Sequence, residues 1–324
     1  MTEKLNIGIL GCADIAWRSM IPAILDSGKY NLVAVASRDK AKAELFANKF
    51  NCKAIVGYEN LLTEKDIDVI YIPLPVGLHY EWIKKTLQHG KHVLAEKSFC
   101  ESYDQAKELV DLANQKGLGV FENFMFVFHS QISFALEQLK SGVIGDLRLL
   151  RSSFGFPKFK INENIRYQKE LGGGALNDAG GYTLMAAQIF LGEGLSNVSS
   201  YMGYQGNEVD FMGGGMLIND KGIGAQVAFG FDNFYQNNIE LWGTTGKITL
   251  ERAFTAPPGF SPQVIIEKQT EVNHIKLPAD NHFINILNAI YAAIDTSKFD
   301  SFHHRILSQS NHLTKFRNNA IQIK

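Results

Sequence analysis

Leu5-Asn6-Ile7-Gly8-Ile9-Leu10-Gly11-Cys12-Ala13-Asp14-Ile15-Ala16 is the stretch that decides the fold. Its apolar first half predicts a strand over Leu5–Leu10, and the run that follows predicts a helix over Ala16–Ser27. Between them, Gly11, Ala13 and Ala16 occupy the small-residue positions of a G-x-G-x-x-G/A turn. Gly11 permits the tight turn, a tiny residue at 13 lets the backbone approach a pyrophosphate, and Ala16 lets helix pack on strand. Backbone amides at the helix start then meet the negative charge. Alanine in the middle position departs from the fingerprint, and such a turn also serves plain packing. Its place at the first strand and first helix favours dinucleotide binding, with Gly11, Cys12, Ala13, Asp14 and Ile15 as contacts.

Outward from this turn the chain alternates strand and helix: Leu32–Ala36, Lys40–Phe50, Val69–Ile72, His79–His89, His92–Ala95, Tyr103–Lys116 and Gly119–Glu122. That rhythm predicts parallel βαβ units in a doubly wound Rossmann domain over residues 1–122. After Glu122 the pattern changes to a helix at Ser130–Ser141, a strand at Leu147–Phe156 and a Gly-rich approach to a helix near Gly172–Leu191. Strand-like runs at Ser196–Tyr204, Gly214–Asn219, Gly222–Phe229, Asn238–Gly243, Lys247–Glu251, Gln263–Gln269 and Val272–Lys276 follow. Gly, Asn, Asp and Pro between them favour antiparallel connections. Two closing helices, Phe283–Asp295 and His303–Asn318, complete the reading: an α/β protein whose second domain, 123–324, is α+β with a large, mostly antiparallel sheet. Gly213-Gly214-Gly215 has no strand-to-helix setting and reads as structural.

The 324 residues, 45% of them hydrophobic, suffice for two cores. With 32 Lys plus Arg against 33 Asp plus Glu, the net charge of -1 gives no electrostatic reason to expect nucleic acid or an anionic membrane. Cys12, Cys52 and Cys100 are odd in number and widely spaced, which argues against a disulfide framework and a zinc site and fits a reducing cytoplasm. The passage from Met1 through Glu3 and Lys4 straight into a strand leaves no leader expected, and no stretch has the length of a bilayer span. A broad sheet with one face to cover leads us to expect a homodimer or homotetramer through the C-terminal sheet.

About twenty residues past the turn, an NAD site carries an acid for the ribose 2′-hydroxyl. Here the strand ends Val35-Ala36-Ser37-Arg38. Ser37 can hydrogen-bond a 2′-phosphate and Arg38 can pair with it, favouring NADP(H), with NAD(H) as the alternative. In the rival reading Arg38 is a solvated arginine and Asp39 touches the ribose. Glu96-Lys97 lies at the carboxyl end of a predicted strand, where ligands bind on an open α/β sheet, or is an exposed ion pair. Asp178 and Tyr182 fall one helical turn apart on one face, presenting an acid and a phenol together; Tyr182 is alternatively a half-buried core residue.

The order of GILGCADIA at Gly8–Ala16, AEKS at Ala95–Ser98 and GGGALNDAGGY at Gly172–Tyr182 resembles the Gfo/Idh/MocA oxidoreductase family over essentially the whole chain. The resemblance implies that Lys97 positions and polarises the reacting oxygen and that Tyr182 gives or takes the proton. Two positions depart: Ser98 stands where the family usually has proline, which loosens the strand end, and Tyr182 replaces the histidine of the inositol-dehydrogenase type. Gly11–Arg18, Ser37-Arg38 and the tyrosine are most similar to NADP-dependent reductases of the C3 keto group of dTDP-linked deoxysugars, implying a nucleotide-sugar substrate. The segment Ile72–His79 resembles the family's cofactor-covering loop, with Leu74, Pro75 and His79 beside the dinucleotide and Glu96 near it. Around Lys97 and Tyr182, Asp178 is expected as a substrate or lysine contact, and Arg166 as a ligand of a substrate hydroxyl or phosphate. His129 and Gln131 resemble a polar pair of the sugar pocket, or His129 is a structural residue, and Arg18 either holds an anionic group or faces solvent. The competing functions are an NADP-dependent aldose, cyclitol or trans-dihydrodiol dehydrogenase and, in another class, a non-catalytic dinucleotide sensor.

Overall fold

The computed structural model describes residues 3–159 and 164–324; Met1, at the start of the chain, lies outside them. Six strands form a parallel sheet in the order β3-β2-β1-β4-β5-β6. They are β1 (Leu5–Leu10), β2 (Tyr30–Ser37), β3 (Lys53–Val56), β4 (Val69–Ile72), β5 (His92–Ala95) and β6 (Val120–Glu122). The order reverses between β1 and β4, so the carboxyl end of β1 faces the crevice where such sheets bind ligands. The helices are α1 (Ile21–Asp26, extending a π-helical stretch at Ala16–Met20), α2 (Lys40–Phe50), α3 (Tyr58–Leu62), α4 (His79–Gln88) and α5 (Tyr103–Lys116). Local sequence fixes their ends. Asp39 accepts from Lys42 N at the start of α2, and Ser102 accepts from Gln105 N at the start of α5. The sheet's central strands are buried on both faces, with Ile7, Ile9, Ile70, Ile72, Val93 and Ala95 inaccessible or nearly so.

The chain divides into two compact units, one reaching to Asn123 and including Phe283–Ser310, the other Phe124–His282 with Asn311–Lys324. The contiguous division at residue 122 did not anticipate that Phe283–Ser310, expected with the second domain, belongs with the first unit. The reason lies in specific bonds: Tyr30 Oη donates to Leu287 O at 2.7 Å, and Val120 N donates to His303 Nε2 at 3.2 Å.

In the second unit, helix α6 (Ser130–Lys140) precedes β7 (Leu147–Phe156). Helix α7 (Gly181–Leu191) continues a π-helical turn at Leu176–Gly180. Then come β8 (Ser196–Gly203), β9 (Met212–Ile218), β10 (Gly224–Phe231), β11 (Gln236–Gly243), β12 (Gly246–Glu251), β13 (Gln263–Lys268) and β14 (Glu271–Lys276). Helices α8 (His282–Asp295) and α9 (Asp300–Asn319) and strand β15 (Ile321–Ile323) close the chain. The nine-stranded sheet runs β14-β13-β12-β11-β7-β10-β9-β8-β15, antiparallel except at β7–β10 and β8–β15. Gly213-Gly214-Gly215 lies inside β9, where close backbone and aromatic neighbours leave no room for side chains. Helix α7 is buried almost all round because it packs on β7 and β10. The opposite face carries Arg151, Glu240, Lys247 and Glu267 in a chain of ion pairs, with Arg151 over the exposed Trp242 ring. Tyr201, Met216, Val272 and Ile321 are exposed too.

Candidate active site

Gly11 leaves β1 at φ +123°, a conformation L side chains rarely adopt, and a Cβ there would lie 2.7 Å from Leu74 Cδ2. The chain turns helical from residue 14, and Trp17 N donates to Ala13 O at 3.1 Å. Ala16 is inaccessible, Asp14 and Arg18 are exposed, and Ala13 and Ile15 are half-buried. Cys12 is buried, with its Sγ 3.8 Å from Ala36 O; burial pushes the thiol up to about 11, so it stays neutral. A turn of small residues leading into a helix thus stands at the reversal of the sheet.

At the end of β2, Ser37 is buried and accepts from Asp39 N at 3.1 Å, while Arg38 is exposed and its guanidinium reaches the Tyr58 hydroxyl. The Asp39 carboxylate is occupied locally as the cap of α2. The cationic side chain, rather than the acid, is left for a ligand. The loop after β4 is held from below. His79 is inaccessible, with Nε2 2.8 Å from Leu74 O and Nδ1 2.9 Å from Ser98 O and 3.2 Å from Phe99 O. Burial pushes its pKa down, opposed by the three carbonyl oxygens, which only the doubly protonated ring answers on both sides. Its ring fastens the Leu74–Pro75 loop to the turn after β5 and presents no free edge to a cofactor.

Glu96 and Lys97 sit at the carboxyl end of β5, as the strand pattern predicts, and both are half-buried. The Glu96 carboxylate accepts from Tyr71 Oη at 2.6 Å and Asn123 Nδ2 at 2.7 Å, so it is a pinned group, not an exposed ion-pair partner. Ser98 is inaccessible, and Phe99 N donates to Glu122 Oε1 at 2.8 Å. These bonds hold the strand end where proline was expected to do so. Sequence reasoning missed Tyr71, Asn123 and Glu122. The available signal was an acid ending the otherwise apolar Val120-Phe121-Glu122.

In the second unit, Asp178 and Arg166 are brought together: Arg166 Nε donates to Asp178 Oδ2 at 2.6 Å, with the guanidinium 4.8 Å from the Phe159 ring centre. The positive charge of Arg166 also reaches Tyr182. Tyr182 is only 4% exposed, in a box of Phe124, Phe126, Phe154 and Phe254 at 5.1–5.7 Å between ring centres, with its hydroxyl 3.9 Å from Met125 Sδ. The helix carrying both residues is set by Asp210, whose carboxylate accepts from Leu176 N at 2.6 Å. Burial pushes Asp210 up to about 6, against the pull of that bond and of Arg317. His129 and Gln131 are buried. His129 Nδ1 accepts from Gln131 N at 3.2 Å as a helix cap, while His129 Nε2 and Gln131 Oε1 have no hydrogen-bond partner among the described residues.

Residues 5–124 match the model of the oxidoreductase family with an NAD-binding Rossmann fold, and residues 133–249 match the GFO/IDH/MocA C-terminal domain. The chain belongs to the Gfo/Idh/MocA oxidoreductase family. A member from Saccharopolyspora spinosa, dTDP-3,4-didehydro-2,6-dideoxy-alpha-D-glucose 3-reductase, is 43% identical over 87% of this chain and 85% of its own. KijD10, a 3-ketoreductase from Actinomadura kijaniata crystallised with NADP and TDP-benzene, superposes with a TM-score of 0.96 at 36% identity, covering 99% of each chain. The NADP-dependent D-xylose 1-dehydrogenase 2 of Haloferax volcanii is 33% identical over 78% of both chains. As a Gfo/Idh/MocA protein the chain has a natural ligand for its first unit, and the residues fit it. A side chain at Gly11 would fill the turn that a pyrophosphate needs, and an exposed arginine stands where a 2′-phosphate needs a partner. No cluster among the described residues could hold a metal, and no helix of them is long and apolar enough to cross a membrane.

Proposed function

We propose that this Gfo/Idh/MocA enzyme uses NADPH to reduce the C3 keto group of a dTDP-linked deoxysugar. The observation that carries the reading is the 43% identity to a 3-reductase of such a sugar, sustained over 87% of the chain. NADPH, when bound, supplies the hydride. Gly11–Ile15 hold the pyrophosphate, Ser37 and Arg38 the 2′-phosphate, and Leu74, Pro75, Glu96 and Lys97 line the cofactor's other end. His79 serves by fixing the loop and not by direct contact.

Tyr182 gives a proton to the alkoxide that forms as the ketone is reduced. An unperturbed phenol, with a pKa near ~10, is poorly matched to neutral pH, so positive charge must favour its ionised form. Lys97 stabilises negative charge on the substrate oxygen. Arg166, oriented by Asp178, adds charge on the Tyr182 side and offers its remaining donors to a sugar hydroxyl or phosphate. We place His129 and Gln131 behind the substrate contacts because both are buried, and Arg18 at an exposed position open to an anionic group. The face bearing Trp242, Tyr201 and Met216 is our choice for self-association into a homodimer or homotetramer.

A second reading, oxidation of a free aldose with NADP, draws on the 33% identity to the xylose dehydrogenase. The deciding experiment compares NADPH oxidation with a dTDP-linked 3-keto sugar against NADP reduction with D-xylose and other free aldoses. Turnover confined to the nucleotide-linked ketone supports the first reading, and turnover confined to free aldoses replaces it with the second.

A further inference from the structure

Glu122 ends β6 beside the turn that follows β5, and only 8% of it is exposed. Its two carboxyl oxygens differ sharply in partnership. Oε1 accepts from Phe99 N at 2.8 Å, while Oε2 is buried without a hydrogen-bond partner among the described residues. A buried carboxylate in that state is costly, because an ionised oxygen deprived of water needs compensating donors. The charged and titratable groups that act on it are Lys97 and Glu96 from the end of β5, Cys100 from the following turn, and Arg305 from α9. Glu96 is already satisfied by Tyr71 and Asn123, and the Cys100 thiol is pushed up by burial and stays neutral. Lys97 and Arg305 are therefore the cations that Glu122 can answer.

We propose that Glu122 is a positioning residue for Lys97: Oε1 fastens the turn at Phe99, and the remainder of the carboxyl sets the electrostatic environment of the Lys97 ammonium. Burial, opposed by the Phe99 bond and by Lys97 and Arg305, pushes Glu122 up to about 8. At neutral pH the group is mostly a neutral acid and adds no negative charge beside Lys97. Above about 8 it becomes an anion that neutralises part of the Lys97 charge. The consequence for turnover rests on the role proposed for Lys97. A lysine that stabilises negative charge on the reacting oxygen loses effect as Glu122 ionises, so reduction slows on the alkaline side.

The coupling is read without turnover by NMR of protein carrying 13C-labelled lysine, the Lys97 Cε signal being the one absent from Lys97→Arg. In the wild type that signal inflects near pH 8, as Glu122 ionises. In Glu122→Gln, whose amide oxygen still accepts from Phe99 N, the inflection is lost. A wild-type signal silent near pH 8, or an inflection there that persists in Glu122→Gln, overturns the proposal whether or not the variant is as stable as the wild type. In the pH profile of kcat, the alkaline limb of the wild type moves to higher pH in Glu122→Gln, and an unmoved limb overturns the link to turnover. If the NMR coupling is present but Lys97→Met turns over as fast as wild type, the coupling stands and the proposed role of Lys97 fails.

Discussion

Replacing Gly11 by alanine tests the dinucleotide turn with a magnitude that the backbone dictates. At φ +123° an alanine sits in a region essentially reserved for glycine, at about 1–3 kcal/mol. Its Cβ would also lie 2.7 Å from Leu74 Cδ2, an overpacking contact of about 1–3 kcal/mol, toward the lower end because half-buried Leu74 can yield. The two together destabilise by roughly 2–4 kcal/mol, which for a unit of this size lowers Tm by roughly 5–15 °C. NADPH affinity falls at least about tenfold, since the backbone of the turn can no longer close on the pyrophosphate; tenfold is about 1.4 kcal/mol. Calorimetric unfolding and NADPH titration of the purified protein read both effects. A companion Gly11→Ala/Leu74→Ala variant, compared with Leu74→Ala alone, relieves the contact and leaves the backbone component in place. The reasoning is refuted if Gly11→Ala melts within a degree of wild type and binds NADPH equally well.

Arg38→Ala should weaken NADPH binding at least about tenfold and leave NADH binding nearly unchanged, because a charge-assisted bond to the 2′-phosphate contributes about 1.5–3 kcal/mol; parallel titrations check it. Tyr182→Phe and Lys97→Met should each lower kcat by about two orders of magnitude or more while NADPH affinity stays within a few-fold of wild type, as steady-state kinetics and titration will report. Glu122 makes stability depend on pH in a defined direction. Its folded pKa of about 8 lies above the ordinary 4.5, so its favourable contribution is fully present below about 4.5 and is lost as pH rises through about 8. Denaturant unfolding of Glu122→Gln and wild type should therefore diverge in the variant's favour across that window, by up to about 1.4 kcal/mol per pH unit.

The first sheet was readable because each of its central strands is an unbroken apolar run between a helix and a turn signal. Leu5–Leu10, Val69–Ile72 and His92–Ala95 emerge with the predicted ends. Strand β3, Lys53–Val56, and α3 escaped because they are only four and five residues long, too short for a periodic pattern to stand out. Strand β15 escaped for the same reason, being three exposed residues held by parallel pairing to β8. Periodicity placed Asp178 and Tyr182 on one helix face. It could not pair Asp178 with Arg166, twelve residues earlier, because that bond depends on how the Gly172–Gly174 segment folds back. Family resemblance placed His79 beside the cofactor; that its ring also ties Leu74 to Ser98 and Phe99 is a long-range contact with no local signature. The acid at the end of β6 was visible in the sequence, and only the structure reveals that one of its oxygens is buried without a partner among the described residues.

The central claim, hydride delivery to C3 of a nucleotide-linked sugar with Lys97 and Tyr182 handling the charge and the proton, is tested most directly with NADPH deuterated at the nicotinamide C4. Each of the two labelled epimers is incubated with the enzyme and a dTDP-linked 3,4-diketo deoxysugar, and the product is examined by NMR. The account predicts that one epimer delivers deuterium to C3 and that Tyr182→Phe largely abolishes the transfer. Deuterium at C4 of the sugar, or no NADPH consumption with this substrate, would contradict it.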